Sequence, residues 1–231
     1  MKKVNLILTM LMAAACVFFA AGCQNDPVAD DGKNIRDYSK IDPYGGSSGG
    51  DSGGGGSTVN WALCKNGSYD IFDIQVWGDG AGEFDFANKD GYSTFTIKTV
   101  GGGWIGGGMI ASDTSKTFDF SKVAKMTFEI RGTINAKALC VAVQDKNGGD
   151  NGIYPAKQSL VTNAKISSIS KDEWTKAEID VTKAKTGTII NAFMIIGAAD
   201  WGSNIKAGDY FDVRNLDWID ADGNSVTLTL K

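Results

Sequence analysis

Histidine is missing from all 231 residues. Its absence excludes the Ser-His and Cys-His nucleophile systems and most zinc sites, which need an imidazole as base or ligand. An excess of positive charge is missing too: 23 Lys and Arg face 27 Asp and Glu, for a formal net charge of −4 and a pI near 4.9. Nucleic-acid binding calls for a basic surface, so no nucleic-acid partner is expected. Beyond residue 22 no stretch is apolar and long enough to span a bilayer. No segment of helical length carries an apolar stripe at 3.6-residue spacing. Cysteine is scarce, with four in the chain: Cys16, Cys23, Cys64 and Cys140.

What is present begins with Lys2 and Lys3, followed by an apolar run from Val4 to Ala21 that only Asn5 and Thr9 interrupt. The run ends in Ala20-Ala21-Gly22-Cys23. It is short for a membrane span and carries a processing site at its end, which favours a cleaved signal over an anchor helix. The small residues before Cys23 resemble a lipobox, with Ala20 where leucine is usual. That resemblance implies that residues 1–22 are removed as a lipoprotein signal and that Cys23 is lipidated. The membrane is then a partner through the lipid anchor. The expected location is a bacterial envelope, at the outer membrane, facing the periplasm or the outside. Residues 23–57 are rich in Gly, Ser and Asp and read as a tether that buries too little apolar surface to fold. Asp26, Asp30 and Asp31 lie just after Cys23. They resemble the acidic signals of Bacteroidetes surface lipoproteins, and a solvated tether explains them equally well.

Residues 58–231 are enough for one domain with a single core. Period-two alternation recurs throughout. It is clean in Tyr92–Lys98, Lys125–Arg131 and Trp174–Val181, and further strands are expected at Ile71–Val76, Glu83–Phe86, Trp104–Ala111, Lys137–Gln144, Ile189–Ile196, Asp209–Trp218 and Val226–Leu230. Turn signals such as Gly78-Asp79-Gly80 and Lys146-Asn147-Gly148-Gly149 separate them. The pattern predicts an all-β fold, a two-sheet antiparallel β-sandwich of the jelly-roll type. Cys64 and Cys140 either pair, in a compartment that permits disulfides, or stay as buried thiols.

Three stretches carry a resemblance. Phe118–Gly132 looks like a sheet segment of jelly-roll carbohydrate-binding modules, Glu173–Val181 resembles their Trp-Thr strand, and Gly208–Asp220 is similar to their final strand. The last departs from the pattern by placing Val213-Arg214 between Asp212 and Asn215. Their order and spacing resemble the galactose-binding-domain-like fold. The resemblance implies a module that binds poly- or oligosaccharide without catalysis and needs no cofactor. It also implies a structural calcium, for which Asp70, Asp73 and Asp212 are the acids to test.

Sugars are held by stacking their C–H faces on flat aromatic rings, with Asn, Gln, Asp or Arg fixing orientation. Trp104 is the leading platform, because Gly101–Gly103 and Gly106–Gly108 clear side chains from both sides of it. The same glycines would also admit a bulky core indole. Trp77 and Trp201 sit at strand ends or in loops, where binding residues concentrate. Gln144, Asp145 and Asn147 close a strand and are candidate polar partners, or else belong to a solvated turn. Arg131 either reaches a ligand or pairs with an acid. Trp174 and Trp218 are expected in the core. Glycoside hydrolysis needs two carboxylates and no histidine. The jelly-roll signature E-x-D-x-x-E is approached at Glu83-Phe84-Asp85 and at Glu178-Ile179-Asp180, but Asn88 and Lys183 stand where the third acid belongs. A glycan-active enzyme of another type and a structural or adhesive sandwich are the alternatives to glycan binding.

Overall fold

The computed structural model describes residues 61–67, 69–77, 80–147, 152–155, 158–198 and 205–231. Ten strands dominate: β1 (Phe72–Val76), β2 (Phe84–Lys89), β3 (Tyr92–Ile97), β4 (Trp104–Ala111), β5 (Lys125–Gly132), β6 (Leu139–Asp145), β7 (Ile153–Tyr154), β8 (Thr175–Asp180), β9 (Ile189–Ala198) and β10 (Tyr210–Ile219). One turn of helix, α1 (Leu160–Asn163), and a 3-10 turn over Thr182–Thr186 complete the described elements. The strands form two five-stranded antiparallel sheets, ordered β1-β4-β9-β6-β7 and β2-β3-β10-β5-β8. The chain crosses between the sheets repeatedly, so the expected β-sandwich is the observed one. No described helix is long and apolar enough to cross a membrane.

The sheets differ in a way the sequence reflects. In the second sheet, β3 and β5 alternate strictly between buried and half-exposed residues. Ser93, Phe95 and Ile97 point inward from β3, and Met126, Phe128 and Ile130 do so from β5. In the first sheet, β4, β6 and β9 are buried along most of both faces. A strand buried on both faces reads as a continuous apolar run, as Leu139–Val143 and Ala192–Ile196 do. The main core fills the space between the sheets. Phe95 stacks on Phe211 with ring centroids 4.8 Å apart. Trp218, fully buried as expected, stacks on Phe72 at 5.5 Å and donates its indole N–H to the Ala192 carbonyl.

Several expectations are corrected. Val226–Leu230 is not a strand: it touches its neighbours at separate points, through the Val226 N–H to the Trp218 carbonyl and a bridge from Leu230 to Phe118. The two-residue β7 was not foreseen. Trp174 lies just before β8, half-buried and outside the core, because the alternation of that strand turns Ala177 and Ile179 inward instead. Cys64 and Cys140 are both buried and form no disulfide. Cys64 belongs to the core between the sheets, whereas Cys140 belongs to a separate apolar cluster. The departure at Val213-Arg214 coincides with a bulge between Arg214 and Asp217, where Asn215 takes φ 54°.

The strands also fix which features share an end of the sandwich. Trp61 packs on Phe86 at 5.5 Å, and the Ala62 N–H donates to Asn88 Oδ1 at 3.3 Å, beside the β2–β3 turn. Trp77, just past the end of β1, and Trp104, at the start of β4, lie together away from that turn, where the Gly82 N–H at the approach to β2 donates to the Trp104 carbonyl at 2.8 Å.

Candidate functional site on the outer face of the first sheet

Pairing register places the side chains on the outer face of the first sheet in rows. One row runs from Trp77 through Gly106 and Ile196 to Cys140. The next holds Gln75, Gly108, Met194 and Ala142, and a third holds Asp73, Ile110, Asn191, Gln144 and Ile153. Cys140, Ala142, Ile153, Met194 and Ile196 make an apolar cluster against which Trp77 packs. On the β6 side, Asn163 of α1 approaches the Cys140 sulfur with its Nδ2 at 3.8 Å.

Trp104 reaches this face through a turn that only glycine makes easily. Gly102 and Gly103 adopt φ 53° and 86°, and the Trp104 N–H closes the turn on the Gly101 carbonyl at 2.9 Å. Trp77 is set by its own N–H, which donates to the Gly106 carbonyl at 2.9 Å. Between the two indoles lies Gly106. A Cβ there would sit 2.3 Å from Trp77 Cε3 and 2.9 Å from Trp104 Cζ3, so both rings cover the bare backbone of this residue. Their centroids are 6.3 Å apart with the planes inclined at 55°. Both are half-buried. The arrangement is an angled pair of large apolar faces, each held from below and open in part to solvent.

Of the other expected site residues, Gln144 shares this face, in the row of Asn191. Asp145 and Asn147 do not join it. Asp145 accepts the Asn147 N–H at 2.9 Å, the Thr188 N–H at 2.9 Å and the Thr188 hydroxyl at 2.8 Å, and Asn147 Nδ2 donates to the Thr188 hydroxyl at 3.2 Å. Burial disfavours the charged carboxylate of Asp145, but these donors outweigh it and hold its pKa below the ordinary value. Both residues are therefore the stitching of a turn. Trp201 lies outside the described residues, as do Cys23, the signal and the tether.

Arg131 is on the other sheet. Its Nε donates to Asp212 at 2.8 Å, and that hydrogen bond raises its pKa. Its guanidinium stands 4.9 Å from the Tyr92 ring centroid and 4.5 Å from that of Trp174. Arg214 stands 4.2 Å from Trp174 and is paired to Glu129. The outer face of the second sheet thus carries a ladder of aromatic rings and guanidinium groups in which each cation has its own carboxylate. Asp212 is occupied there, also accepting from Thr94 at 2.8 Å, while Asp70 and Asp73 lie along the first sheet. The three acids expected to share a calcium do not come together, and no group of three metal-ligating side chains occurs among the described residues. Glu83 and Asp85 are exposed and face Lys98, Glu178 pairs with Lys125, and Asp180 caps Thr182.

Sequence reasoning missed Gly106 as the seat of both indoles, and it missed Asn191 altogether. The signal for Asn191 was present: one amide inside the apolar run Ile189–Ile196.

No family model matches the chain, and no curated protein matches it. Solved structures do resemble it. A family 29 carbohydrate-binding module complexed with mannohexaose has a TM-score of 0.40 at 14% identity, covering 69% of this chain and 87% of its own. The family 11 module of a cellulosomal cellulase of Clostridium thermocellum has a TM-score of 0.41 at 18% identity, covering 69% and 93%. A family 29 module from Piromyces equi has a TM-score of 0.36 at 14% identity, covering 64% and 80%. At these scores the likeness carries no weight for a ligand, and the site is read from its own geometry.

Proposed function

We propose that the chain is a tethered envelope protein that binds poly- or oligosaccharide without chemistry, with Trp77 and Trp104 as its stacking platform. The observation that carries this reading is the pair of half-buried indoles seated over Gly106. Pyranose rings present apolar C–H faces bordered by hydroxyl groups, and two indoles inclined to each other suit consecutive units of a twisted glycan chain. The carboxylates that come nearest to a hydrolase pattern are exposed or engaged in ion pairs and caps, which favours binding over hydrolysis. The other alternative, a structural or adhesive sandwich, gains nothing from an aromatic pair held partly in solvent.

The test is affinity electrophoresis of residues 58–231 through gels containing barley β-glucan, xylan, glucomannan or galactan, with Trp104→Ala run alongside. Retardation of the natural sequence by a gel that leaves Trp104→Ala unretarded, with both folded by circular dichroism, supports the reading. Free passage of the natural sequence through every gel refutes it. The anchor is tested separately, by membrane fractionation of the full chain and of Cys23→Ser.

A further inference from the structure

Asn191 lies on the middle strand of the first sheet, opposite Ile110 on one side and Gln144 on the other. Both neighbours project from the outer face, so Asn191 does too. It is fully buried, and neither its Oδ1 nor its Nδ2 has a hydrogen-bond partner. Its Oδ1 leans toward the Trp platform: a Cβ on Gly108, one row closer to the indoles, would lie 2.7 Å from it. A buried amide with neither bond made is costly, because water is lost and nothing replaces it. Its row also holds Gln144, directly opposite on β6, yet neither atom of the Asn191 amide bonds to it, and the adjoining cluster of Cys140, Ala142, Ile153, Met194 and Ile196 is apolar. An orphan of this kind at the floor of a candidate site calls for an explanation by function.

Resting on the glycan-binding reading above, we infer that Asn191 is a ligand-contacting amide of the same site, sealed in the free protein and bonded to vicinal hydroxyl groups of a sugar once the glycan displaces its cover. An amide sets a donor beside an acceptor, which matches two adjacent hydroxyls of a pyranose, one accepting and one donating. Gly106 and the Asn191 row are four residues apart along β4, about 13 Å at strand rise. That separation fits an oligosaccharide engaging the indoles with one unit and the amide with another, rather than a single ring. The recognised class is therefore a chain segment with free vicinal hydroxyls.

The experiment combines Asn191→Leu and Asn191→Ala with Trp104→Ala in residues 58–231, read by thermal unfolding and by affinity electrophoresis on barley β-glucan and glucomannan gels. Removing an unbonded amide raises Tm or leaves it unchanged, and it weakens glycan affinity about tenfold. The alanine variant guards against overpacking by leucine. Lower Tm in both Asn191 variants overturns the inference, since the amide then has a structural partner such as a trapped water. Unchanged retardation in both overturns it as well. If retardation is lost in Trp104→Ala but kept in the Asn191 variants, the platform stands and only the amide's role falls. If the natural sequence is not retarded on either gel, the binding reading fails and takes this inference with it.

Discussion

Gly106→Ala tests the platform without removing any group that a sugar would touch. The added methyl would start 2.3 Å from Trp77 Cε3, so the ring must retreat by 1.1 Å to reach ordinary contact at 3.4 Å. Trp104 Cζ3, starting at 2.9 Å, must retreat by 0.5 Å. The two movements are in different directions, because the rings are inclined at 55°, so the angle between the stacking faces changes. Each indole face covers roughly 70 Å² of sugar, worth about 1.7 kcal/mol at about 25 cal/mol per Å². Losing alignment on one face weakens binding by about tenfold to twentyfold. Because both rings are only half-buried and lie outside the main core, overpacking costs about 1–2 kcal/mol of stability and leaves the fold intact. Isothermal titration with a gel-positive oligosaccharide reads the affinity, and tryptophan emission of the free protein reports the altered environment. Wild-type affinity together with a shifted emission spectrum would refute the platform, since the rings would have moved without consequence for the ligand.

Three further outcomes are expected. Trp174→Ala removes two cation–π contacts at 4.5 and 4.2 Å on the opposite face, so it lowers Tm by about 2–8 °C and leaves glycan affinity unchanged; a loss of binding at constant stability would move the site to the second sheet. Asp145 has a folded pKa below its unfolded value of about 3.9. Its stabilisation is therefore complete above that value and is lost as pH falls through the folded pKa, so Asp145→Asn flattens the decline of Tm below about pH 4, and a parallel decline in both proteins would contradict the assignment. Cys64 and Cys140 are buried thiols outside any disulfide, and burial followed by the charge of Asp217 pushes the Cys64 thiol up; neither should react with a thiol reagent in the native domain and both should react in denaturant, whereas a single reactive group in native buffer would show an opening not seen in this fold.

The second sheet was legible because it has one wet face. Tyr92–Lys98 and Lys125–Arg131 alternate between core and solvent, and period two reads directly as strand and as facing. The first sheet was harder. Leu139–Val143 and Ala192–Ile196 are apolar on both faces, so their strands were visible but the outer face was not. Trp104 and Trp77 were singled out from glycine neighbours and turn position, and both lie half-buried over Gly106 on the first sheet. That both rest on one residue, Gly106, depends on the β1–β4 register, which no local pattern contains. For Asp145, Asn147 and Arg131 the sequence left two partners open, for a common reason. A polar residue at a strand end looks the same in sequence whether its partner is a ligand, Thr188 or Asp212. Trp174 was misplaced because a Trp in an alternating stretch suggests burial, and its actual partners, Arg131 and Arg214, come from two other strands.

The two outer faces differ in how far they satisfy themselves, and this difference supports the proposed site. On the second sheet every guanidinium of the ladder has a carboxylate, and Trp174 is flanked by two cations. On the first sheet two indoles keep surface in solvent, a glycine stands where any side chain would disturb them, and one buried amide has no partner. Each of these breaks a rule that folding alone would keep: apolar area left wet, a strand interior weakened by glycine, a polar group sealed without a bond. Departures from locally consistent chemistry cluster where function demands them. Their coincidence on one face, within a few residues of β4, is a stronger pointer than any one of them. It also orders the experiments: a ligand that satisfies the indoles but not the amide would leave part of the site without purpose, so glycans should be screened as chains before they are screened as monosaccharides.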